Sequence, residues 1–446
     1  MNRTVRSCLV LAVLGLAAGA AAQETAPLLT LNEALERARD GNRKLAMAGL
    51  QVGRASDQLG EIKAERLPSV TLDGTAGRTL NTVEFNLNQG TLGTYPGTGP
   101  IPAAKTRVTT DPNWMVFGYA HVDQPLSQLY KLGIGVHASE EKVEVAREEL
   151  RGARQALTQQ VRKAYYAIVG TESGLSAARE SLDMAREIQR EVENLARENA
   201  VLAHEAIGAR AAAEQAAYRV ARLETAASTA REQLNVLLGR DPWTEFRVES
   251  LPDPGPVGET EAEAIARAVE GQSDTRIAKL RASLASRDVA LAKADYIPDA
   301  SFTVGFYKPY QVEFQPKNVW AAGILFHWNV FDGGKRAKVV AEKRKAEEQA
   351  RLAVADADAI ARVSARESWR RVHDAERLLA AARTARDAAR DRLRSERARF
   401  QEHAALAEDL RRAEADLASA DDACNEATVS YWSARADYEF SIGEES

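Results

Sequence analysis

Apolar and polar residues alternate along two short segments in the second half of the chain. The even-numbered positions are apolar, whereas most of the odd-numbered positions between them are polar or small; the apolar positions are Ala300, Phe302, Val304 and Phe306, then Trp320, Ala322, Ile324, Phe326, Trp328 and Val330. A period of two predicts β-strands with one apolar face. We therefore predict strands near residues 298–314 and 319–331, and less regular strands near residues 68–83 and 113–125.

Two long stretches without helix breakers follow these strands. All 14 prolines lie outside residues 126–241 and 317–446, and residues 336–441 contain no glycine. Because proline and glycine are the strongest helix breakers, most of each stretch can be helical. We predict long helices at 127–199 and 333–403, each followed by a returning helix, at 201–239 and 404–440. Apolar residues in the returning helices recur in alternating steps of four and three, which is typical of a coiled-coil seam.

The chain is a tandem repeat. Residues 33–68 align without a gap with residues 263–298, and later positions correspond at an offset of 204. Each half has the same predicted order of helix, strand, loop, strand, long helix and returning helix. The predicted first helix runs from Leu31 to Arg66, and the first loop covers residues 86–112. The first repeat is then 23–240, the connecting segment 241–260 and the second repeat 261–446.

The N-terminus has the pattern of a secretory signal peptide at residues 1–22, with Arg3 and Arg6 before an apolar run and small residues before Gln23. The net charge is −5, which argues against a nucleic-acid partner. The mean hydropathy of −0.36 excludes a protein with many membrane-spanning helices. Cys424 is one of only two cysteines, and we interpret it as a small apolar seam residue.

The apolar strand face has two explanations. The sheet could be soluble and cover a core, or it could belong to a membrane β-barrel with apolar side chains outside. Four strands cannot close such a barrel, since the smallest kind has about eight, so an oligomer would have to complete it. In the barrel interpretation six apolar strand residues face lipid: Phe302, Val304, Trp320, Ile324, Phe326 and Trp328.

Short motifs recur at the predicted junctions. Each first helix ends in Leu67-Pro68 or Ile297-Pro298 before a strand. The second strand of each half ends in Gln124-Pro125-Leu126 or in Val330-Phe331-Asp332-Gly333-Gly334. These motifs resemble those of the outer-membrane efflux protein family, the TolC-like exit ducts. We expect Pro125, Asp332, Gly333 and Gly334 to form the strand-to-helix corners. Asp332 is suited to cap a helix N-terminus, and glycines permit a sharp turn.

This resemblance implies a mainly α fold with a small membrane β-barrel portion. In the family, long antiparallel coiled-coil helices form an α-barrel, and a homotrimer closes a 12-stranded barrel from four strands per chain. The implied location is the cell outer membrane, with an extension into the periplasm. The implied partners are outer-membrane lipid, a periplasmic adaptor (membrane fusion) protein and an inner-membrane transporter. The implied function is passive conduction of solutes to the exterior within a tripartite efflux or type I secretion system.

The predicted periplasmic tip departs from the family pattern. Asn199 and His403 occupy the positions of the usual turn glycines, and Glu205 and Asp409 occupy those of the usual aspartates. Asparagine and, less readily, histidine tolerate the left-handed conformation that a tight turn needs. Acidic side chains repeated around a threefold axis would favour cations in a constriction. The alternative for them is a solvated helix end.

No pattern for catalysis is present. The six histidines lack metal-type spacing, and there is no phosphate-binding loop, Ser-His-Asp order or cysteine pair. We therefore expect no enzyme activity, catalytic residue, metal or cofactor. The alternative function is a non-conducting structural coiled-coil protein of the periplasm or envelope, derived from the same family.

Overall fold

The structure is a computed structural model that describes residues 27–444 except 113, 199–200, 253–254, 256, 311–317 and 403. The predicted signal peptide lies outside the described residues. The chain divides into two compact units. The first takes residues 27–41, 160–255 and 378–433, and the second takes residues 42–159, 256–377 and 434–444.

The described residues form eight helices in two sets of four. In chain order they are α1 (Leu31–Gly41), α2 (Arg43–Ala64), α3 (Gln128–Arg197), α4 (Ala203–Leu237), α5 (Glu261–Gly271), α6 (Ser273–Ala294), α7 (Lys335–Gln401) and α8 (Ala407–Ser441). Corresponding helices match in length, with 11 residues in α1 and α5, 22 in α2 and α6, and 35 in α4 and α8. The long helices α3 and α7 have 70 and 67 residues.

The first predicted helix of each half is two helices in the structure. Asn42 separates α1 from α2 with an extended backbone, and its side chain accepts hydrogen bonds from the backbone N–H groups of Lys44 (2.9 Å) and Leu45 (3.2 Å). This is an N-cap, which satisfies donors that a new helix leaves unpaired. The expectation of one uninterrupted helix from Leu31 to Arg66 is therefore corrected.

A close glycine contact recurs at this break. Gly239 has φ +73°, and a Cβ atom there would lie 1.9 Å from the carbonyl oxygen of Gly41. In the second unit, Gly443 has φ +74°, and a Cβ there would lie 2.5 Å from the carbonyl oxygen of Gly271. Because only glycine fits such backbone-to-backbone contacts, both repeats use the same glycine pair.

Ten strands form four small sheets within the described residues. The strands are β1 (Leu28–Leu29), β2 (Ser69–Arg78), β3 (Val83–Leu87), β4 (Thr94–Tyr95), β5 (Gly99–Pro100), β6 (Thr106–Thr110), β7 (Trp114–Pro125), β8 (Arg247–Val248), β9 (Asp299–Tyr310) and β10 (Val319–His327). The main sheet is antiparallel, in the order β10-β9-β7-β2. The remaining pairs are β1 with β8, β3 with β6 and β4 with β5.

Several strand bounds differ from those predicted. β2 ends at Arg78 instead of near residue 83, and β10 ends at His327, so Trp328 lies beyond it. The predicted loop 86–112 contains most of an ordered hairpin, in which β3 pairs with β6. The predicted connecting segment 241–260 contains β8, which pairs in parallel with β1. The end of the strand predicted at 298–314 lies outside the described residues.

The first unit has a core of aromatic and small side chains. Tyr165 is almost fully buried; its hydroxyl donates to the carbonyl oxygen of Leu29 (3.0 Å) and accepts from the backbone N–H of Glu249 (3.0 Å). Burial raises the pKa of Tyr165. Tyr166 packs on Trp432, with ring centroids 5.4 Å apart. These contacts link the parallel strand pair to the helices within this unit.

The second unit has a smaller buried polar network beside its helical core. The side chain of Gln155 donates to the carbonyl oxygen of Gly443 (3.0 Å), and its amide oxygen accepts from Ser273 (3.2 Å). Trp369 donates its indole N–H to the carbonyl oxygen of Glu259 (2.9 Å). Thr260 and Glu263 form a capping box at the start of α5. The network fixes the ends of α5, α6 and α8 in this unit.

Candidate functional site

One face of the main sheet is mostly apolar, with Arg78 and Lys308 as its charged residues. The register pairs Phe302 with Ile324, Val304 with Ala322 and Phe306 with Trp320, so the even-numbered residues of β9 and β10 share a face. Pairing of β7 with β9 and of β2 with β7 adds further members to that face: Val70, Leu72, Ala76, Val116, Ala120 and Val122. Five of the six predicted lipid-facing residues are brought together here. Trp328, the sixth, follows the end of β10.

The other face carries every aspartate and histidine of these four strands, at odd-numbered positions. Their order along the chain is Asp73, His121, Asp123, Asp299 and His327. Aromatic and hydroxyl side chains accompany them, and Phe117 stacks on Tyr307 with ring centroids 6.1 Å apart. The two faces of the sheet therefore differ sharply in charge.

His121 lies between two carboxylates on this second face. Its Nε2 is 3.0 Å from Oδ2 of Asp123, and its Nδ1 is 3.6 Å from Oδ2 of Asp73. The ring stacks on Tyr119, with centroids 4.8 Å apart. Gly305 makes room for Tyr119, since a Cβ there would lie 2.8 Å from the tyrosine hydroxyl oxygen. Asp73 and Asp123 are not among the predicted site residues; their odd-numbered positions on two paired strands are the signal in the sequence that indicates this cluster.

Both outer strands of the sheet have a free edge within the described part of the chain. β10 pairs only with β9, and β2 pairs only with β7. A free edge presents unpaired backbone N–H and C=O groups, which can pair with a further strand. The sheet is thus open at both sides and able to continue into other sheets.

Asp332 forms the second strand-to-helix corner. Its carboxylate accepts from the backbone N–H groups of Gly334 (3.0 Å) and Arg336 (3.1 Å), and from Nε of Arg336 (2.7 Å). Arg336 holds the pKa of the Asp332 carboxyl below its ordinary value by bonding to the charged form. Gly333 and Gly334 have φ values of +66° and +86°, which glycine adopts readily. This corner starts α7.

Pro125 lies at the first corner, as the last residue of β7. Beside it the Gln124 side chain donates to the carbonyl oxygen of Arg66 (3.0 Å), and the Ser127 hydroxyl accepts from the backbone N–H of Ala300 (2.7 Å). Lys131, one turn into α3, binds Asp299 (2.9 Å). Lys131 also lines a cavity of about 320 Å³. The first corner is therefore tied to the strand of the second repeat.

The predicted tip residues fall at the starts of α4 and α8. Glu205 lies in the first turn of α4, and Asp409 lies in the first turn of α8. Oδ2 of Asp409 accepts from the backbone N–H of Leu406 (3.4 Å). Negative charge is favoured at a helix N-terminus. Asn199 and His403, the other two predicted tip residues, lie outside the described residues.

A small apolar cluster packs near these turns in the first unit. Val192 and Ala209 are buried, and Ile188, Val201, Ala206 and Phe400 pack against them. Phe400 is the aromatic residue that the sequence retains before its second turn. The cluster holds the end of α3 against the start of α4.

The described residues contain no candidate metal centre. Among them, no group of three or more histidine, cysteine, aspartate or glutamate side chains is placed to hold a metal ion. Cys424 is a free, buried thiol on α8. In the part of the chain that the structure describes, no helix is both long and apolar enough to cross a membrane.

One family profile matches part of the chain. Residues 34–240 match the sequence profile of the family described as "Outer membrane efflux protein". The search of curated protein sequences finds no match to the chain.

Solved structures extend the likeness to nearly the whole chain. The outer-membrane channel OprN matches with 21% identity and a TM-score of 0.76, covering 93% of this chain and 90% of its own. The Campylobacter jejuni CmeC outer membrane channel matches with 15% identity and a TM-score of 0.78, covering 93% of this chain and 85% of its own. VceC, an outer membrane protein of Vibrio cholerae, matches with 16% identity and a TM-score of 0.76, covering 93% of this chain and 96% of its own. At these identities the likeness shows the fold.

The predicted mainly helical fold is therefore confirmed: the chain has the TolC-like fold of outer membrane channels such as OprN and CmeC. The predicted resemblance to the outer membrane efflux protein family is confirmed by the profile match of residues 34–240. The two-faced sheet and the acidic helix starts are the features of this fold that a function has to explain.

Proposed function

We propose that the chain is the outer-membrane exit duct of a tripartite efflux or type I secretion system, and that it conducts solutes passively from the periplasm to the exterior. The apolar even-numbered face of the sheet carries this proposal. Trp320, Ile324 and Phe326 expose 72%, 69% and 62% of their surface in the single chain. A large contiguous apolar patch requires an apolar partner, and lipid is the partner that suits a strand face of this length.

The strand dimensions support a membrane barrel. β7 and β9 have 12 residues and β10 has nine, close to the roughly 9–11 residues that a tilted strand needs to cross a bilayer. Four strands are about half of the smallest known membrane barrel, so several copies must contribute. We propose a homotrimer in which the free edge of β2 pairs with the free edge of β10 in the next copy, which closes a ring of twelve strands.

The charged face then lines the lumen. In a closed barrel the face opposite the lipid points inward, where water solvates Asp73, His121 and Asp123. The chain carries no lysine or arginine at the odd-numbered positions of the four strands. The proposed lumen is therefore acidic, which favours the passage of cations over anions.

We also propose that the α3–α4 and α7–α8 turns meet a periplasmic adaptor joined to an inner-membrane transporter. The family of residues 34–240 supports this role. Glu205 and Asp409, each at the start of a returning helix, would form an acidic ring when repeated around the threefold axis. In this proposal the transporter supplies the energy for transport, and the duct conducts passively.

Conductance across a planar lipid bilayer tests the duct. Protein purified from outer membranes should give discrete current steps and, in a salt gradient, a reversal potential of cation-selective sign. The combined Glu205→Gln and Asp409→Asn variant should move the reversal potential toward zero. Glu408→Gln is the matched control, because Glu408 lies in the same helical turn as Asp409 and pairs with Arg412 (3.2 Å).

The outcomes separate the parts of the proposal. Absence of current steps from correctly inserted protein would contradict conduction and favour a structural coiled-coil protein of the envelope. If the double variant gives current steps with the same reversal potential as the unmodified protein, the acidic ring is contradicted. Conduction through the duct would still stand.

A further inference from the structure

Glu414, on α8, is a buried carboxyl group that the family comparison does not explain. Only 8% of its surface is exposed, and its Oε1 atom is sealed from solvent with no hydrogen-bond partner among the described residues. A carboxylate in such surroundings loses its hydration and gains no donor in exchange. Nothing in the sequence pattern distinguishes Glu414, because it follows the seam residue Ala413 as one more charged residue on a charged helix.

Two cavities of the first unit meet at Glu414. The larger, of about 450 Å³, is lined by α3, α4 and α8, with Ala178, Ala216 and Ala418 among its apolar walls. The smaller, of about 100 Å³, is lined by α3, α7 and α8 and includes Met184 and Phe400. All four helices of this unit's coiled coils therefore border the carboxyl group or the cavities beside it.

Several of the charged groups that face these cavities form ion pairs with one another instead of with Glu414. The charged groups facing them are Glu187 and Glu191 on α3, Arg219 and Arg222 on α4, Arg397 on α7, and Arg411 and Asp422 on α8. Arg397 pairs with Glu187 (3.3 Å). Arg219 pairs with Asp422 and donates to the carbonyl oxygen of Ala418 (3.3 Å). No described group donates a hydrogen bond to Oε1 of Glu414.

Burial therefore raises the pKa of Glu414 to about 7, against the opposing effect of Arg397. An exposed glutamate stays ionised throughout the neutral range. Glu414 instead changes its charge within that range, at a position where four helices pack.

We propose that Glu414 is a proton-binding site that works as a latch. With its proton, Glu414 is neutral and α8 stays packed against α3 and α7. Without its proton, the carboxylate requires water, which enters through the larger cavity and loosens the first turns of α8. Since α8 begins at Ala407, seven residues before Glu414, the loosening reaches the turn between α7 and α8. The latch does not depend on conduction and can be tested without it.

Hydrogen exchange of the full-length protein in detergent tests the latch. We assume that Glu414 has an ordinary pKa when α8 is open. Linkage then predicts that the equilibrium constant for opening of α8 rises about ten-fold between pH 6 and pH 8.5. After correction for the intrinsic pH dependence of exchange, amides in the first turns of α8 should exchange about ten-fold faster at pH 8.5. In Glu414→Gln, which remains neutral, protection should be the same at both values.

Two further variants make the test specific. Glu408→Gln removes an exposed carboxylate from the same helix and should keep the ten-fold pH effect. Glu414→Leu fills the site with an apolar group and should also remove the pH effect. This variant provides the test if Glu414→Gln fails to fold. Equal protection at both pH values in the unmodified protein, or a persistent ten-fold effect in both Glu414 variants, would overturn the proposal.

Discussion

Replacing Ile324 by lysine places a charge on the sheet face that we propose meets lipid. Ile324 pairs with Phe302 across β9 and β10, and 69% of its surface is exposed in the single chain. If this face were in water in the assembled protein, a lysine there would be tolerated. If the face meets lipid, the charge must be driven into hydrocarbon. The substitution therefore tests whether the apolar face is covered by an apolar partner, as the proposed barrel requires.

In the proposed barrel, Ile324 lies near the middle of the membrane. β10 runs from Val319 to His327, so Ile324 has five residues on one side and three on the other. At ~3.3 Å per residue and a tilt of ~40°, the strand crosses about 23 Å, close to the ~25 Å apolar band of such barrels. A lysine near the midplane costs ~2–4 kcal/mol, or ~6–12 kcal/mol for three copies. A penalty of that size should prevent most of the assembly.

Leu325 provides the matched control. It is the next residue, 65% exposed, and its side chain lies on the opposite face, which we propose lines the lumen. The assay is the fraction of protein recovered as an oligomer from detergent-extracted outer membranes. Ile324→Lys should lose most of this fraction, and Leu325→Lys should retain it. Equal effects of the two variants, in either direction, would refute the assignment of the faces.

Three further predictions concern stability, each measured by urea titration of the purified protein in detergent. Gly239→Ala should lower the free energy of unfolding by more than ~2 kcal/mol, because the residue has φ +73° and its new Cβ would meet the carbonyl of Gly41; an unchanged midpoint would contradict that contact. Tyr165→Phe should cost ~1–3 kcal/mol because the buried carbonyl of Leu29 and the part-buried N–H of Glu249 lose their partner, and a smaller effect would show that water replaces the hydroxyl. Since the folded-state pKa of Glu414 is about 7 against an ordinary 4.5, the folded chain binds the extra proton, and stability should fall by about 3 kcal/mol as pH rises through this window. Glu414→Gln should abolish that fall, and its persistence in the variant would exclude Glu414 as the source.

Most of the fold could be predicted from patterns that recur at a fixed spacing along the sequence. The period of two placed Phe302 and Ile324 on one strand face, because side chains must alternate along any strand. The gapless repeat predicted two similar halves, and the glycine pairs Gly41–Gly239 and Gly271–Gly443 show why those positions recur: each requires the closest backbone approach. Such features are predictable because they follow from local geometry.

Features that depend on distant partners were missed or misplaced. Asn42 interrupts a stretch whose composition favours one continuous helix. Beside this break, Gly41 contacts Gly239, which is almost 200 residues away in the sequence. The hairpin of β3 and β6 lies in a region rich in glycine and proline, where pairing rather than propensity decides the structure. Glu414 looks like any exposed helix carboxylate until three other helices are packed around it. The sequence could not supply those neighbours.

The central claim, that several copies share one membrane barrel, is tested most directly by the protein mass of the particle extracted from outer membranes. Light scattering in detergent, with the detergent contribution subtracted, measures that mass without assuming a shape. Three copies of the processed chain are the predicted result. A monomer or dimer, released from the envelope without detergent, would contradict the shared barrel and the duct built on it.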